Sequence, residues 1–107
     1  MVKEADISIV FDIRYLPQDT RANLEALEMI LAAAALEIET AVVFRVDPAA
    51  WLQGQDGMRW RQLIDFGLAQ LWTTVRDTQV TSDYPIPLAS AEQIDQFCSN
   101  AEAILVL

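Results

Sequence analysis

The chain has no histidine and a single cysteine, Cys98, among its 107 residues. Without histidine, neither a Ser-His-Asp nor a Cys-His pair can be assembled from this chain. A zinc site would lack its commonest neutral ligand. One thiol supplies neither a metal-binding cluster nor an internal disulfide, which agrees with a cytoplasmic protein. Glycine is scarce, limited to Gly54, Gly57 and Gly67. Neither GxGxxG nor GxxxxGKS/T occurs, so the loops that bring backbone close to nucleotide phosphates are missing, and no cofactor is expected. Bases are also few: 7 against 16 acids, for a net charge of −9, and Lys3 is the one lysine. Such a surface repels phosphate backbones and anionic lipid, which argues against nucleic-acid and membrane-surface partners. The longest apolar run, Met29 to Leu36, lies between Glu28 and Glu37 and falls far short of the ~20 residues that span a bilayer. Met1 to Asp6 leads into no signal-peptide h-region. The acids show no metal-ligand spacing; Glu37 and Glu39 share a side only in extended chain, and no metal site is expected.

What is present is apolar material, 53% of residues, enough to bury one core and make residues 1–107 a single domain. Ile7, Ile9, Phe11 and Ile13 alternate with Ser8, Val10 and Asp12. Val10 on the second face predicts a strand buried on both sides, as in a parallel sheet. After Pro17, Asp19 or Thr20 can cap a helix running to about Leu36, with Leu24, Leu27, Leu31, Ala34 and Ala35 as its apolar stripe and Arg21, Glu25 and Glu28 opposite. Ala41 to Val46 reads as a second strand. Asp47-Pro48 starts a short helix through Leu52, and residues 53–57 are a loop. Residues 58–76 read as a helix from Met58 to about Ala69 and a strand from Leu71 to Arg76, with one long helix as the alternative. Tyr84-Pro85-Ile86-Pro87-Leu88 is extended and, with two prolines, confined to an edge. Ser90-x-x-Gln93 is a capping box. It opens a last helix with the stripe Ala91, Ile94, Phe97, Cys98 and Ala101, and Ala103 to Leu107 reads as a final buried strand. This alternation predicts an α/β fold with a mainly parallel sheet of four to five strands and helices on both faces. In such sheets ligands bind beyond the carboxyl ends of the strands.

Arg14, Arg45 and Arg76 each fall at or just after a predicted strand end. They could converge with Asp12 and Asp77 on one rim as a crevice for a small anion, since guanidinium forks suit carboxylate and phosphate. They could equally pair with Asp12, Asp47 or Asp77 as structural ion pairs. Trp51, Met58 and Trp60 flank a glycine-containing loop; an oligomer interface and local packing are both open there. Cys98 lies on an apolar stripe near a helix C-terminus, where the dipole disfavours thiolate, and reads as a core cysteine.

Several segments together resemble the DsrE/DsrF-like family, which includes the small subunits of the sulfur relay. They are Ile7-Ser8-Ile9-Val10-Phe11, Asn23-Leu24-Glu25-Ala26-Leu27 with the alanine-rich Ala32 to Leu36, Ala41-Val42-Val43-Phe44, Phe66-Gly67-Leu68, and the C-terminal helix running into Ala103-Ile104-Leu105-Val106-Leu107. The resemblance covers nearly the whole chain and rests more on the order and lengths of elements than on any one motif. It implies a flavodoxin-like three-layer sandwich and homo- or hetero-oligomers with related subunits. Sulfur-carrying members hold a cysteine just after the third strand; here that region is Val75-Arg76-Asp77-Thr78-Gln79. The resemblance therefore implies a non-carrier, a non-catalytic interaction or small-ligand-binding subunit in sulfur relay. The alternative is a small-molecule enzyme or carrier. It would hold an anion with the three arginines and use Asp12 or Asp77 as acid or base, or carry sulfur on Cys98.

Overall fold

Strand β1, Ile9–Ile13, lies at the centre of the sheet, and its neighbours explain its double-sided apolar pattern. The structure, a computed structural model, describes residues 7–52, 57–76 and 86–107. Helix α1, Thr20–Ala35, returns the chain to β2, Thr40–Phe44, every residue of which is buried. The short α2, Ala49–Leu52, and α3, Gly57–Asp65, precede β3, Gln70–Thr73. Helix α4, Ala91–Asn100, leads to β4, Ala103–Val106. All pairings are parallel, in the order β3-β2-β1-β4.

The two faces carry separate cores. Phe11, Ile13, Val42, Phe44 and Leu71 meet α1, α2 and α3, while Val10, Ala41, Val43 and Trp72 meet the stripe Ile94, Phe97, Cys98 and Ala101 of α4. This is the expected three-layer α/β sandwich of the flavodoxin-like kind. Its chirality follows from right-handed crossovers. Two successive steps outward from β1 place α1 and α3 on one face. The step from β3 back across β1 to β4 places α4 on the other.

Local signals hold at the helix ends. The Asp19 side chain accepts from Ala22 N at 2.8 Å. Asp47 Oδ1 accepts from Ala49 N at 3.0 Å, opening α2 as the Asp-Pro pair predicts. Ser90 and Gln93 form both halves of the capping box. Helices α1 and α3 close alike: Ile38 N donates to Ala33 O and Glu37 N to Ala34 O, while Leu68 N donates to Leu63 O and Gly67 N to Ile64 O. This closure needs one residue in the left-handed region, occupied by Glu37 (φ 58°) and Gly67 (φ 61°). Gly67→Ala is expected to lower unfolding free energy by about 1 kcal/mol through backbone strain alone. Nothing lies within 4 Å of the added Cβ, so urea denaturation reads the strain without a clash.

Two expectations require correction. The buried stripe of α1 is Asn23, Ala26, Leu27, Ile30 and Ala33, rotated from the predicted one; Leu24, Leu31 and Ala34 are only half-buried and Ala35 is exposed. The helix is apolar nearly all round from Met29 onward, so periodicity alone does not choose a face. Asn23 chooses it, by bonding into the core (below). The last strand, expected to be buried, is exposed along its whole length. It is an edge strand, and the α4 stripe lies over Val10, Ala41, Val43 and Trp72 rather than over β4. The helix-then-strand reading of residues 58–76 holds, with α3 ending earlier, before Gly67. Of the loop expected at 53–57, Gly57 instead opens α3; residues 53–56, Asp77 and Tyr84-Pro85 lie outside the described residues. Of the extended segment, Ile86 to Leu88 meets the end of β3: Thr73 N donates to Pro87 O at 3.0 Å and Ala89 N to Thr73 O at 2.8 Å.

Candidate functional site

In an all-parallel sheet every strand ends on the same rim, so residues just past β1, β2 and β3 share that rim by topology. Asp12 is buried, 2% exposed, in the last turn of the β1 pleat, opposite Val43. Arg14 lies two residues on and therefore on the same face. Its Nε donates to Asp12 Oδ2 at 2.9 Å, and its Nη2 lies 2.9 Å from the same oxygen. Arg45, one residue past β2, donates Nε to Asp12 Oδ1 at 2.9 Å. The backbone fixes both arginines: Arg45 N donates to Ile13 O at 2.7 Å and Arg14 N to Leu107 O at 2.9 Å. One carboxylate thus spans two guanidinium groups, and the cluster keeps a net positive charge. The arginine side chains are 53% and 35% exposed. A buried carboxylate is costly unless paired; here both of its oxygens are used.

The structure brings Asp12, Arg14 and Arg45 together. Arg76 is exposed three residues beyond β3, with no partner among the described residues. Asp77 lies outside them.

The aromatic residues occupy other places. Trp60 is fully buried, with its ring 5.8 Å from Phe44 and 6.0 Å from Trp51. Its Nε1 donates to Asn23 Oδ1 at 2.7 Å, and Asn23 Nδ2 donates to the Trp51 carbonyl at 2.7 Å. Trp51 is 3% exposed and donates Nε1 to the Tyr15 carbonyl at 3.0 Å. Both tryptophans are therefore core of this chain and present no side-chain surface to a partner. Of the three residues expected at an interface, Met58 alone is exposed. Cys98 is half-buried on the α4 stripe beside the sheet, as its position in the stripe predicts. No cluster of metal-ligating side chains occurs among the described residues. No helix there is long and apolar enough to cross a membrane.

Two features were not anticipated. Asn23 ties α1, α2 and α3 together from inside the core; a polar residue in the first turns of an apolar helix was its only trace. The other is the β4 edge, where Ile104, Leu105 and Val106 are 46%, 36% and 50% exposed. The register pairs Leu105 with Phe11, on the α1 face, and Ile104 and Val106 with Val10 and Asp12, on the α4 face. Beside the carboxyl end of β4, a groove of about 270 Å³ runs between Leu107 and the exposed Tyr15, Leu16 and Met29. No protein-family model and no curated protein matches the chain.

Proposed function

We propose that this chain is a non-catalytic interaction subunit of the DsrE/DsrF-like type, acting in sulfur relay and assembling through β4 with related subunits, copies of itself included. The contrast between the two sheet edges carries the reading. The β3 edge is met at Thr73 by the segment Ile86 to Leu88, which carries Pro87. The β4 edge carries no lysine, proline or bulge, the devices by which edges are normally blunted. In the β1–β4 ladder Ala103 N donates to Ser8 O, Leu107 N to Asp12 O and Arg14 N to Leu107 O. By the alternation of a parallel ladder, the N–H and C=O groups of Ile104 and Val106 then point away from the sheet. These backbone groups, between side chains exposed on both faces, match the edge strand of another subunit. A twofold pairing would make the contact self-complementary. The absence of cysteine after β3 supports a non-carrier role, because persulfide chemistry has no nucleophile there.

Sedimentation velocity tests the reading. The wild-type chain is expected to associate at micromolar concentration, and Ile104→Lys to weaken association at least about tenfold, or ~1.4 kcal/mol. As a surface change it is expected to alter stability by less than about 0.5 kcal/mol. A wild-type chain that stays monomeric throughout, with Ile104→Lys indistinguishable from it, sinks the proposal.

A further inference from the structure

We infer that Arg14 and Arg45, held by Asp12, form a binding fork for a small oxyanion, the carboxylate or phosphate group of a small molecule. Three independent observations carry this. The first is the imbalance of charge: one carboxylate faces two guanidinium groups. Asp12 takes both Nε atoms and Arg14 Nη2. The second is accessibility. Asp12 is 2% exposed while its arginines are 53% and 35% exposed, so the shared carboxylate is buried and both arginine side chains reach water. The third is position. The chain steps from β1 to β2 and β3 on one side and places β4 on the other. Such a switch point opens a crevice beyond the carboxyl ends of the two diverging strands. The bond from Arg14 N to Leu107 O lies at that seam, and Arg45 follows β2 on the other side of β1.

Asp12 is a positioning residue. Engaging Nε fixes the plane of each guanidinium while leaving donors on its outer edge, so less rotamer freedom is lost when an anion arrives. A local positive site in a chain of net charge −9 discriminates by size. The net negative charge opposes a polyanion far more than a small oxyanion.

Side-chain Nε–H resonances of arginine, followed by NMR during titration with sodium phosphate or sodium succinate, test this directly. The expected result is a saturable shift of Arg14 and Arg45 that sodium chloride at matched ionic strength does not reproduce. Response to both probes, or to one of them, supports the fork and says which oxyanion it prefers. Arg45→Gln is expected to weaken binding at least about tenfold, while Arg21→Gln, which removes only an exposed pair with Glu25, leaves it unchanged. Asp12→Asn separates positioning from charge, since it makes the site more positive yet releases both forks. Several-fold weaker binding is expected, and tighter binding overturns the positioning role. No saturable shift with either probe, or an unchanged affinity in Arg45→Gln, overturns the site.

Discussion

Trp60→Ala is expected to remove about 3–5 kcal/mol of unfolding free energy, the range for truncating a large buried aromatic residue. Trp60 is fully buried, and its ring joins β2 through Phe44, α2 through Trp51 and α1 through Asn23. Substitution leaves a cavity where three helices and the sheet meet, and these elements cannot all close on it together. A domain of this size holds about 5–15 kcal/mol in total, so the urea midpoint should fall by about a fifth or more. A loss under about 1 kcal/mol would mean that this side of the core is not packed as described.

Asn23→Ala is expected to cost about 2–4 kcal/mol, although it removes only a small side chain. The cost arises from what remains: the Trp60 Nε1–H and the Trp51 carbonyl lose their partner inside the core, and each such group costs about 1–3 kcal/mol. The alternative, that Asn23 matters only for its volume, is separated by a double-mutant cycle with Trp60→Phe, which removes the N–H beforehand. The two substitutions should couple by about 1 kcal/mol or more. Strict additivity in denaturant unfolding would show that the 2.7 Å bond between Asn23 and Trp60 contributes nothing net.

The difference between what local sequence revealed and what it did not has a physical cause. Helix starts were legible at Asp19, Asp47-Pro48 and Ser90 with Gln93, because a cap acts within four residues of itself. The α4 stripe was legible from Ile94 onward, though not at Ala91, which is exposed, because its outer face carries Glu92, Asp95 and Gln96. The face of α1 was not, since alanine and leucine surround it, and the choice rests on Asn23 reaching residues 28 and 37 positions away. Ala103 to Leu107 reads as buried from composition, and parallel strands usually are. Its exposure follows from strand order, which no stretch of sequence encodes locally. Strand-end position brings Arg14 and Arg45 to Asp12, while Arg76, expected at the end of a strand reaching it, lies three residues beyond β3. Whether a given arginine pairs or stays free depends on side-chain reach across neighbouring strands, as for Arg45 and Asp12, which are 33 positions apart.

An apolar edge of this kind carries a definite consequence for exchange. The amide hydrogens of Ile104 and Val106 face away from β1, so in an isolated chain they exchange freely although they lie within a strand. Pairing through β4 would bury them in a new ladder. Hydrogen–deuterium exchange of these two amides, followed as protein concentration rises through the association range, therefore tests the proposed mode of assembly most directly. Slowing at Ile104 and Val106 with rising concentration, abolished by Ile104→Lys at position 106, is the expected result. Rapid exchange at both positions at every concentration, in a sample that sediments as an oligomer, would place the interface elsewhere and contradict assembly through β4.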